Sequence, residues 1–317
     1  MSQRKKVDAS PAPTAEPSRR VRIRPRVWAC LALLVGLEVF AHFLWQRNAS
    51  TVAHQPQYVL SADRIQITAP PAWIRSDIKS QVLRDSGLAG NTSVLDNWDA
   101  LAKRVKDAFE MHPWVASVDR ITRKLPSSLD IELKYRRPIA AVESRDHTGV
   151  LFLPVDEHAV RLPEGDLTET ERRYLPRVSG ITGRPRVGDV WDDPRVIGGA
   201  RLAVQLEDVW QKLRLVEILA RMLPAVRDDR PACTFEIVTF GGTRIIWGAT
   251  PGQESSFGDS PFPLKRQRLL DYANQYGKLE SIDGPEVLDV RSDLVVTPRT
   301  ARHKKTAPKE EKETQTK

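Results

Sequence analysis

A chain of 317 residues, 28% charged and 40% hydrophobic, carries a formal charge of +8, which would suit nucleic acid if it lay on one folded surface. It does not: residues 1–26 hold +6 and residues 299–317 hold +4, and the remainder, with Glu38 set aside, sums to −1. A basic face for nucleic acid is therefore disfavoured. The two cysteines, Cys30 in an apolar run and Cys233 far downstream, predict a fold held by packing rather than by a disulfide.

Residues 1–26 are basic and proline-containing, with too little apolar content to fold, and read as a disordered cytoplasmic tail. Val27–Trp45 is a 19-residue apolar run broken only by Glu38 and His42, with tryptophans near both ends. That length fits one transmembrane helix. A cleaved signal peptide is the rival, but Phe43-Leu44-Trp45-Gln46 is a poor cleavage site. Positive charge precedes the run, so the N-terminus is expected in the cytoplasm and the bulk of the chain outside, in a single-pass arrangement. Glu38 and His42 share a helix face; a contact with another membrane helix and a location close enough to water both remain open.

After a linker over 46–58, residues 59–137 read as one domain. Arg64–Thr68 alternates as a strand. Ile74, Ile78 and Val82 mark a helix stopping at Gly87, and Leu95, Trp98, Leu101, Ala102, Val105 and Phe109 mark a second, with Asp96 and Asp99 as N-cap and acidic first turn. His112-Pro113 ends that helix. A hairpin follows: Ile121, Arg123 and Leu125 are extended, Pro126-Ser127-Ser128 turns, and Leu129, Ile131, Leu133 and Tyr135 alternate with charged residues. Proline ends the strand at Pro138.

Residues 138–297 read as a mixed β domain. Val150–Pro154 and Ala159-Val160 flank an acidic turn. Leu202, Leu206, Val209, Leu213, Val216, Leu219 and Leu223 suggest one long helix. Strands over Cys233–Phe240 and Thr243–Trp247 join through Gly241-Gly242. A helix over Lys265–Tyr276 should turn Leu269, Leu270, Ala273 and Tyr276 inward, and Val287–Val296 should be the last strand. Residues 298–317 read as a disordered charged tail.

No catalytic constellation emerges. The six histidines show no metal spacing, no phosphate-binding glycine loop or nucleophile elbow occurs, and neither a cofactor nor an enzymatic activity is expected. Asp146-His147 and Asp156-Glu157-His158 fall in predicted turns, where backbone reasons favour such residues.

The order strand, helix, helix, strand, strand resembles a POTRA domain. Pro113, Trp114, Val115, Ile121, Arg123, Pro126, Leu129, Ile131, Leu133, Arg137, Pro138, Ile139 and Ala140 are similar to the pattern of the bacterial division proteins FtsQ/DivIB, with one extra residue that a bulge near Val118–Arg120 would absorb. Val150–Pro154, Asp156-Glu157-His158 and Ala159-Val160 resemble the family's strand, acidic turn and strand, and Leu175-Pro176-Arg177-Val178-Ser179-Gly180 resembles a second family motif. The resemblance implies an α+β, non-catalytic, bitopic scaffold at the division septum that binds FtsB/FtsL-type membrane proteins, and through its POTRA part other division proteins. It also implies strand addition at the last strand, here Val287, Leu288, Asp289, Val290, Arg291, Ser292, Asp293 and Leu294, where Ser292 replaces a common aromatic. The alternative is a POTRA-containing secretion or assembly component that handles unfolded clients; such proteins usually end in a membrane barrel, which this C-terminal half does not suggest.

Overall fold

The computed structural model describes residues 25–53, 55–88, 92–95, 97–146, 149–223, 232–277 and 279–299, so most of both expected tails, together with Asp96 and His147, lies outside the described residues. Two compact units divide between Pro56 and Gln57. Among its described residues the first contains one helix, α1 (Pro25–Ala53), in which Trp28–Asn48 is long and apolar enough to cross a membrane. Its side chains from Trp28 to Asn48 are exposed. The expected linker begins later than the sequence suggests, because α1 continues to Ala53 through a stretch without glycine or proline. Extending an existing helix is far cheaper than nucleating one. His42 shares a hydrogen bond with Gln46, one turn on, at 2.9 Å.

Among its described residues the second unit holds two sheets. The smaller follows the order β1 (Ile65–Ile67), α2 (Ile78–Ser86), α3 (Trp98–Glu110), β2 (Val115–Lys124) and β3 (Ser128–Tyr135). Its strands lie β1-β3-β2, with β3 parallel to β1 and antiparallel to β2. Local chemistry accounts for the ends of α2: the Asp77 carboxylate accepts from the Ser80 N–H, and Gly87 closes the helix at φ +60°. Asn97, rather than the expected Asp96, caps α3, its side chain accepting from the Asp99 and Ala100 N–H groups. The pairing of β2 with β3 shifts register between Val118 and Arg120, where the extra residue is expected, and again between Val115 and Ser117. Ile78, Val82, Leu101, Val105, Phe109, Trp114, Leu129 and Ile131 form this sheet's core.

The larger sheet contains β4 (Ala140–Asp146), β5 (Gly149–Val155), β6 (Arg177–Ser179), β7 (Leu215–Leu223), β8 (Ala232–Thr239), β9 (Arg244–Ala249), β10 (Val287–Asp289) and β11 (Val295–Thr297), in the order β11-β10-β9-β8-β7-β6-β4-β5. Between the strands run α4 (Glu169–Tyr174), α5 (Pro194–Gln205), α6 (Glu207–Trp210), α7 (Glu254–Phe257) and α8 (Phe262–Tyr276). Val196 and Leu202 of α5 and Leu269 of α8 pack with Phe235, Ile237, Trp247 and Leu288 in one core.

Four further expectations change. The long helix through Leu223 stops at Trp210; Arg214, at φ +54°, redirects the chain, and Leu215–Leu223 becomes β7 in the sheet's interior. Apolar residues three and four apart fit a helix as well as a bulged strand buried between neighbours, and pairing with β6 and β8 decides for the strand. Ala159-Val160 contributes only an isolated bridge to Val190. On α8, Lys265 and Tyr272 face inward with Leu269, whereas Tyr276 is 56% exposed. Val287–Val296 is two short strands joined by a turn, not one.

Candidate functional site

The split of the last strand relocates the sheet's free edge. β10 pairs with β9 on one side and β11 on the other, so Val287, Leu288 and Asp289 are interior, with Leu288 fully buried. The terminal strand is β11, which has no strand on its outer side among the described residues. Its residues are exposed, Val295 at 57% and Val296 at 41%, with Leu294 just before them at 38%. Phe240 and Ile282 are also exposed, on loops tied to the chain after β11: the Arg299 Nη1 donates to the carbonyls of Gly241 at 3.0 Å and Ile282 at 2.8 Å. An open strand edge offers unpaired backbone donors and acceptors, and exposed apolar side chains beside it offer area to bury. Together they suit an extended peptide.

The turn Val290–Leu294 has its own construction. The Asp289 carboxylate accepts from the Arg291 backbone N–H at 3.0 Å and from its guanidinium Nη2 at 2.8 Å. Burial raises the Asp289 carboxyl, but the Arg291 hydrogen bonds and charge outweigh it and hold it below the ordinary carboxylate range. Asp289 and Arg291 thus fold the turn that sends β11 back along β10. Three successive carbonyls are then held from outside: Val290 by Arg268 Nη1 at 3.1 Å, Arg291 by the Ser260 N–H at 2.6 Å, and Ser292 by the Ser260 hydroxyl at 3.2 Å. Val290 is buried, while Arg291, Ser292, Asp293 and Leu294 are exposed.

Of the remaining singled-out residues, Glu38 and His42 lie on α1, while Trp114 and Arg137 sit where the two sheets meet. Pro113, Trp114 and Val115 carry the chain from α3 into β2, Pro126 follows a cis peptide bond in the β2–β3 turn, and Leu129 is fully buried in the smaller sheet. Arg137, just before Pro138, forms an ion pair with Glu207 of α6. Arg136 reaches Asp156 at 2.7 Å. Asp156 is itself buried and accepts from the His158 and Val160 N–H groups, so it is a turn-forming and pairing residue.

Sequence reasoning missed the hub of this joint, Asp166. Its Oδ1 accepts from the backbone N–H of Arg75 at 3.1 Å and Ser76 at 2.6 Å. Its Oδ2 accepts from the Ser76 hydroxyl at 2.9 Å and the Trp114 indole N–H at 2.5 Å. Leu162, four residues earlier, packs into the core of the smaller sheet. Pro163-Glu164-Gly165-Asp166 reads as an ordinary polar turn, and nothing local marks its aspartate as facing inward. Among the described residues no group of three His, Cys, Asp or Glu side chains is placed to hold a metal ion. No family model and no curated protein matches this chain.

Proposed function

We propose that this chain is a non-catalytic, bitopic membrane scaffold of the FtsQ/DivIB type, with its N-terminus in the cytoplasm and the unit from Gln57 onward outside. In this reading the β-α-α-β-β module is the POTRA domain, and FtsB/FtsL-type partners dock on the larger sheet, which helps control septal wall synthesis. One observation carries the reading: an open eight-stranded sheet terminates in β11, which has exposed apolar residues and no outer neighbour among the described residues. A partner strand added there gains main-chain hydrogen bonds along the edge and side-chain burial at Val295 and Val296. This moves the docking strand outward by one from the segment carrying Asp289, whose backbone is already paired on both sides.

Lysine on an edge strand opposes pairing while leaving the strand's own side solvated. The double substitution Val295→Lys and Val296→Lys in the full chain is expected to lower co-purification of its membrane partners about tenfold. It should also abolish enrichment of a fluorescent fusion at the division plane. Unchanged recovery by a folded variant would remove β11 as the docking strand. Uniform envelope labelling of the wild-type fusion would remove the division assignment altogether.

A further inference from the structure

Among the described residues, Lys265 is the one lysine among the largest fully buried side chains, at 0% exposure on the inner face of α8. Burying an ammonium is costly unless it is paired and hydrogen-bonded, and a methionine of similar reach would fill the same space without that cost. The partners explain its presence. In β9 the pairing with β8 skips a residue, Phe235 opposing Gly248 and Glu236 opposing Ile246, and Gly248 sits at φ +86°. At this bulge the Trp247 carbonyl and the Ala249 N–H are bonded by side chains. Lys265 Nζ donates to the Trp247 carbonyl at 3.0 Å, and Asp259 Oδ2 accepts from the Ala249 N–H at 2.7 Å. The two side chains then meet at 3.5 Å. The ammonium also lies 5.2 Å from the centroid of the Trp247 ring.

Asp259 directly precedes Ser260, whose N–H and hydroxyl hold the carbonyls of Arg291 and Ser292 in the turn before β11. From the opposite direction, a β-carbon on Gly248 would lie 2.1 Å from Asp259 Oδ2 and 2.9 Å from Arg291 Cδ, so carboxylate and guanidinium stem converge over the same bulge. The chain of contact is continuous from α8 to the sheet edge. We infer that Lys265 is a positioning residue for that edge: through Asp259 and Ser260 it sets the Arg291–Ser292 turn and so the register in which β11 is presented to an incoming strand. The docking consequence rests on the function proposed above; the positioning itself does not.

Hydrogen exchange on the full-length chain in detergent, read by mass spectrometry over peptides covering 286–297, tests this without any partner. Lys265→Met is expected to speed exchange across 291–297 at least about tenfold while peptides from β7 and β8 stay within about twofold of wild type. Should that variant not fold, Ser260→Ala, which removes one link downstream, is expected to give the same local pattern at about threefold to fivefold. Unchanged exchange over 291–297 in a folded Lys265→Met chain, or in Ser260→Ala, overturns the inference. So does acceleration spread evenly over the whole sheet, which marks a purely structural lysine. Co-purification of membrane partners with Lys265→Met then separates the two claims. Loss of local protection with unchanged recovery keeps Lys265 as positioning residue and refutes docking at β11.

Discussion

Asp166 offers the sharpest energetic test of how the two sheets are joined. Every group that meets its carboxylate donates: two backbone N–H groups, the Ser76 hydroxyl and the Trp114 indole N–H. Asp166→Asn keeps shape and volume but presents an NH2 group to one side of this set. In one orientation the amide nitrogen faces the Trp114 N–H, and in the other it faces the N–H groups of Arg75 and Ser76; neither pairing forms a hydrogen bond. Trp114 is fully buried, so its donor has no recourse to water. A hydrogen bond to a charged group contributes ~1.5–3 kcal/mol and an orphaned buried donor costs ~1–3 kcal/mol, which places Asp166→Asn near a loss of about 3 kcal/mol. Trp114→Phe removes the donor and keeps most of the ring volume, for a loss of about 2 kcal/mol. Because the two changes remove the same bond, the double variant should be less destabilised than the sum by about 1–2 kcal/mol. Denaturant unfolding followed by circular dichroism measures all three. A value for Asp166→Asn within ~0.5 kcal/mol of wild type, or strict additivity, would refute a joint built on this carboxylate.

Two further outcomes follow from the same structure. Glu171, bound by the Arg75 guanidinium and by Thr168, has its pKa lowered from 4.5 to about 2. A group depressed on folding stabilises above its unfolded value and loses that contribution as pH falls through its folded one. The slope of stability against pH between those two values should therefore flatten in Glu171→Gln, and an unaltered slope would exclude Glu171 as its source. Gly248→Ala puts a β-carbon 2.1 Å from Asp259 Oδ2 at φ +86°, whereas Gly87→Ala meets nothing within 4 Å at φ +60°. Thermal unfolding should show a loss of ~2–3 kcal/mol for the first and about 1 kcal/mol for the second; equal losses would mean that the bulge tolerates a side chain.

Elements whose cause lies within a few residues were legible in the amino-acid order. The alternation through Leu129–Tyr135, the Gly87 stop, the Gly241-Gly242 turn with Gly242 at φ +78°, and the apolar run inside α1 depend on periodicity, backbone freedom and length. Three decisions belonged to tertiary structure. Leu215–Leu223 is a strand because strands flank it on both sides, a fact its own spacing cannot express. The sheet ends in β11 because Asp289 and Arg291 close a turn that Arg268 and Ser260 hold from another element. Asp166 and Lys265 are buried because their partners, Trp114 52 residues away and Trp247 18 residues away, are brought to them only by the folded chain. A charged residue's solvation energy depends on what surrounds it in space, and sequence neighbours do not determine those surroundings.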